Sequence, residues 1–114
     1  MKVKDYVRIE FESSTMRTRQ YVLFENKCKK ELKAMLKPRG IKLHNFIGNH
    51  FEWCAVLEKG GKFVYVQLSD VRFWQWYDNV LIRTMAHDKD WRGGENHKCA
   101  FNEIGDYADK LFSL

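Results

Sequence analysis

A chain of 114 residues, 45% hydrophobic and 31% charged, has the size of one domain and enough apolar surface to offset the entropy of ordering, so it is neither a disordered tail nor a multidomain assembly. The net charge is +5, and the longest apolar runs, such as Val22-Leu23-Phe24 and Val80-Leu81-Ile82, fall far short of the ~20 residues that cross a bilayer. The expectation is a single α+β domain over residues 1–114 with no membrane partner.

In chain order, Val3, Val7, Ile9 and Phe11 alternate with Arg8, Glu10 and Glu12, the period-two pattern of a first strand. Ser13-Ser14-Thr15 offers helix caps, and the run after it sets Tyr21, Phe24, Cys28, Leu32, Met35 and Leu36 on one helical stripe. Pro38 disfavours helical geometry at the residue before it and Gly40 supplies a turn, so the helix should stop near Lys37. Ile41 to Ile47 reads as a second strand, with Ile41, Leu43 and Ile47 on one side. Phe51, Trp53, Ala55 and Leu57 then alternate with Glu52, Cys54 and Val56, and Phe63 to Leu68 is rich in strand formers. Lys59-Gly60-Gly61-Lys62 between them is a hairpin signal.

The aromatic segment Val71 to Tyr77 leads into a further strand, Val80 to Met85, and residues 87–99 read as a polar loop around Gly93-Gly94. A short helix from about Asn102 carries Ile104, Tyr107, Ala108, Leu111 and Phe112 on one face. The order β-α-β-β-β-β-α predicts a mostly antiparallel sheet of about five strands with two helices packed on one face.

Three cysteines, Cys28, Cys54 and Cys99, form an odd, widely spaced set without a CxxC pair, which points to reduced thiols rather than a disulfide framework. No apolar h-region or small-residue cleavage site follows Met1. Both observations predict a cytoplasmic protein.

Charge is unevenly placed. Residues 1–40 hold eleven Lys/Arg against five Asp/Glu, residues 41–100 eight against seven, and residues 101–114 one against three. The first helix carries Lys27, Lys29, Lys30, Lys33 and Lys37 beside its apolar stripe, with Arg17 and Arg19 before it. Such a face can track a phosphate backbone or an acidic protein surface, and because lysine is a point charge it would do so without reading sequence. A merely solvated helix face is the competing reading.

Arg72, Phe73, Trp74, Trp76 and Tyr77 crowd four rings and a guanidinium into six positions, and Trp91 and Arg92 add the same two residue types later in the chain. Aromatic and arginine side chains dominate both base stacking and protein hot spots. These residues are the expected partner-binding set. His87, His97 and Cys99, with Asp88, Asp90 and Glu95 nearby, are zinc-type ligands, and zinc is the one cofactor they would take. A polar turn held by local hydrogen bonds explains the same residues. No phosphate-cradling glycine loop, nucleophile elbow or dinucleotide fingerprint is present, so neither an enzyme nor a small-molecule substrate is expected.

Ser69-Asp70-Val71-Arg72-Phe73, Ile82-Arg83-Thr84 and Lys89-Asp90-Trp91-Arg92-Gly93-Gly94-Glu95-Asn96-His97 resemble segments of small proteins encoded by phages and other mobile elements, a group that includes many anti-CRISPR proteins. The resemblance covers roughly the second half of the chain. It implies a non-enzymatic inhibitor in the host cytoplasm that occupies the surface of a protein or ribonucleoprotein target. With a positive net charge such an inhibitor would not mimic DNA. It would cover an acidic or apolar patch, or touch nucleic acid through the basic helix. A direct nucleic-acid-binding domain is the alternative, and a zinc protein or metal-dependent enzyme using residues 87–99 is the second.

Overall fold

The computed structural model describes residues 19–49, 52–68 and 80–114. Helix α1 (Arg19–Leu36) buries Tyr21, Phe24, Cys28, Leu32 and Leu36 completely, the spacing expected of a helix with a single apolar face. It ends in a 3-10 turn over Lys37–Arg39, where Gly40, at φ 70°, returns its N–H to the carbonyl of Lys37.

Five strands follow: β1 (Lys42–Asn49), β2 (Glu52–Lys59), β3 (Lys62–Leu68), β4 (Val80–Met85) and β5 (His97–Cys99). They pair antiparallel in the order β1-β2-β3-β4-β5, so each strand lies beside its sequence neighbour. Gly60 and Gly61, at φ 58° and 80°, form the two-residue turn between β2 and β3. Two successive positive φ values match the twist of the flanking strands, and only glycine adopts both without cost.

Strand alternation sends Trp53, Ala55 and Leu57 of β2, Val64, Val66 and Leu68 of β3, and Val80 and Ile82 of β4 to one face. Helix α1 and the last helix, α2 (Ile104–Phe112), join those side chains in one core through the α1 stripe and Ile104, Ala108, Leu111 and Phe112. Both helices therefore cover the same sheet face. Arg39 ties them together. Its guanidinium pairs with Asp106 at 3.1 Å and with Asp109, and it lies over Gly105, where a Cβ would collide with it.

This is the expected α+β fold, and among the described residues no helix is long and apolar enough to cross a membrane. The strand and caps expected over residues 3–15 lie outside the described residues. Two details differ from expectation. The end of the polar loop forms a strand, β5, because His97 to Cys99 finds the free edge of β4. Ile47 does not share a side with Leu43. The register slips by one residue at His44, pairing Leu43 with Leu57 and then Asn45 with Val56. A bulge of this kind reverses the alternation beyond it. Phe46 consequently faces the core, stacked on Trp53 at 5.1 Å, and Ile47 is 41% exposed.

Lysine at these two positions separates the alternatives. Phe46→Lys should lower unfolding stability by about 2 kcal/mol, and Ile47→Lys by less than ~0.5 kcal/mol. Denaturant midpoints at constant m-value measure both, and the reverse ranking would remove the bulge.

Candidate nucleic-acid interface

Once the apolar stripe of α1 is sealed, the lysines have nowhere to point but outward. Lys27, Lys30, Lys33 and Lys37 are exposed, as are Arg19 and Lys42. Lys29 is half-buried and lays its ammonium over the Phe46 ring at 5.8 Å. Its row continues through Lys33 to Lys37, one turn per step along the side of α1 that borders β1. A cation near a helix C-terminus is also favoured by the helix dipole, which gives Lys33 and Lys37 a local reason to be there.

The reversal at Gly40 carries the chain back so that Lys42, on β1, stands across from Lys33 and Lys37. The three lysines line a shallow groove of about 360 Å³ together with the partly buried Leu43 and the nearly buried Ile41. Among the described residues, Lys30, Lys33, Lys37 and Lys42 make no ion pair, whereas Arg39 pairs with Asp106 and Asp109, and His44 with Asp88. Glu58, opposite Lys42 in the register, turns its carboxylate to the N–H of Gly61 at 3.1 Å.

On the other face of the sheet, residues 86–96 fold back over β3 and β4. Arg83 is 5% exposed, stands over the Tyr65 ring at 4.5 Å and donates to the carbonyls of Thr84, Asp90 and Gly93. Asp90 does the converse, accepting the N–H groups of Ala86, Gly93 and Arg92 at 2.8, 2.8 and 3.2 Å. The Ala86 bond foremost, with those of Arg92 and Gly93, holds its carboxyl below the usual range. Gly94, at φ 81°, passes so close to Thr84 that a Cβ there would strike the Thr84 carbonyl. The loop is thereby nailed from both sides. Its tip presents Trp91, 52% exposed and edge-on to Tyr65 at 6.0 Å, and the exposed Arg92.

Arg17 and the aromatic group Arg72, Phe73, Trp74, Trp76 and Tyr77 lie outside the described residues. The three proposed metal ligands are not gathered. His87 accepts the N–H of Lys89 within the loop, while His97 and Cys99 sit on β5, His97 against Tyr107 of α2 and Cys99 in the core. Among the described residues no three His, Cys, Asp or Glu side chains converge as ligands would. Burial pushes the Cys99 thiol up to about 11. Burial likewise raises Cys54 and Tyr65, which line a small hollow of about 140 Å³ on the outer sheet face.

Sequence reading missed Lys42, whose partnership with Lys33 and Lys37 depends on a chain reversal. It also missed the 3.1 Å contact of His44 with Asp88, 44 residues apart. Compared with protein-family models, curated proteins and solved structures, the chain matches none.

The sign of the Asp90 shift fixes a pH effect. A carboxyl depressed in the folded state stabilises the loop at every pH above its unfolded value of about 3.9, and that contribution is lost as pH falls through the folded pKa. Amide exchange at Ala86 and Gly93 should therefore lose protection below about pH 4 in the native protein, ahead of the β2–β3 amides. Asp90→Asn should remove the step. Equal protection in both proteins across that range would show that the carboxylate does not hold the loop.

Proposed function

We propose that this is a binding protein, without chemistry of its own, that occupies a nucleoprotein target and grips the phosphates of its nucleic acid with the lysine face of α1 and β1. One observation carries the reading: Lys30, Lys33, Lys37 and Lys42 are exposed without ion-pair partners among the described residues, three of them around a single groove. Elsewhere the fold does spend basic groups on itself, as the Arg39 clamp and the buried Arg83 show. Unpaired like charges held close together repel one another, and a polyanion that displaces their counterions relieves that repulsion. An inhibitory role of the sort small phage-encoded proteins play is part of this proposal, on the resemblance described above.

Trp91 and Arg92 are assigned to the protein portion of the same target. A ring fixed in place on a stiff loop loses little freedom when it docks. Trp91→Ala should then leave oligonucleotide binding unchanged and weaken only the hold on intact nucleoprotein.

Affinity for nucleic acid should fall linearly with salt on logarithmic axes, with a slope of roughly −3 for about four phosphate contacts. The double variant Lys33→Gln/Lys37→Gln should flatten that slope by about 1.5 and leave the unfolding midpoint unchanged. Fluorescence anisotropy from 25 to 200 mM salt reads both. A slope near zero in the native protein would overturn the proposal.

A further inference from the structure

We infer that the groove between α1 and β1 takes a single strand of nucleic acid rather than a duplex; this rests on the phosphate-binding reading above. The groove's cations stand on two walls, Lys33 and Lys37 on the helix side and Lys42 on the strand, with Ile41 and Leu43 between them. A ligand that meets all three lies along the shallow groove and covers the part of Leu43 that the core leaves open. One strand does both, because its phosphates follow the rim while an unpaired base or sugar covers that side chain. The volume of about 360 Å³ is at the small end of the range for ligand pockets, about 300–1,000 Å³, which suits a nucleotide unit.

A duplex fits poorly for two reasons. Its outer surface is convex and its bases are inward, so the open part of Leu43 would face water-clad phosphates or nothing. The alternative, insertion of α1 into the major groove, fails on width. A helix with side chains is already about 10–12 Å across and the groove about 12 Å, while α1 has β1 packed along its flank and Lys29 folded onto Phe46 of that strand. Helix and strand together are too broad to enter.

Lys30 and Lys42 separate the two geometries. Lys30 is exposed on α1 but does not line the groove, whereas Lys42 lines it from the far wall. The native protein is titrated with a 12-nucleotide single-stranded DNA and with the same strand annealed to its complement, at one ionic strength. The single strand should bind at least tenfold more tightly, and Lys42→Gln should weaken it severalfold more than Lys30→Gln. Equal or tighter duplex binding with a normal salt slope, or a larger loss from Lys30→Gln, overturns the single-strand assignment and leaves the phosphate reading standing. Failure of both nucleic acids to bind at 25 mM salt overturns the two together.

Discussion

Burial of one stripe of α1 against the inner sheet face is the constraint from which the rest follows. Tyr21, Phe24, Cys28, Leu32 and Leu36 have no exposed surface, and each large apolar side chain so buried contributes about 1.5–3 kcal/mol. Turning the helix by one residue would expose several of them. Against that, interactions among exposed charges amount to about 1 kcal/mol or less each. Packing therefore decides the rotation of the helix and the lysines accept the orientation it leaves. Their concentration along β1 is imposed by the core, and the reversal at Gly40 adds Lys42 to it.

The same contrast between committed and uncommitted charge runs through the molecule. Arg39 is tied to Asp106 and Asp109, and Arg83 to three carbonyls of the loop it supports. Asp90 serves three backbone N–H groups. Arg39 adds a polar tie to a helix that already shares the core, while Arg83 and Asp90 hold a loop on the opposite sheet face. Lys30, Lys33, Lys37 and Lys42 hold nothing among the described residues. Cations left unspent on one side and a tryptophan exposed on the other are what the proposed binding role draws on.

Most of the fold was legible because its signals are local. The α1 stripe, the stop near Pro38, the Gly60-Gly61 turn and the α2 face are each written within one continuous stretch of sequence, and local pattern recovers them. What escaped depends on distance or on a shift of register. The bulge at His44 leaves Leu43, Phe46 and Ile47 equally apolar in sequence, and only pairing with β2 decides which face inward. Strand β5 is three residues long and exists because β4 offers it an edge. The basic helix was visible as a run of lysines, yet the groove was not, since it needs Lys42 from another element. His97 and Cys99 do share one face of β5, as their spacing suggests, while His87 lies in the loop before it and accepts the N–H of Lys89.

The most direct test maps contact residue by residue. In a titration of the isotopically labelled protein with a short single-stranded oligonucleotide, backbone amide shifts should concentrate at Lys29, Lys33, Lys37 and Gly40 to Leu43, and those of residues 86–96 should stay still. Shifts confined to the loop, or spread thinly over the whole surface, would contradict the assignment of the lysine face as the site of binding.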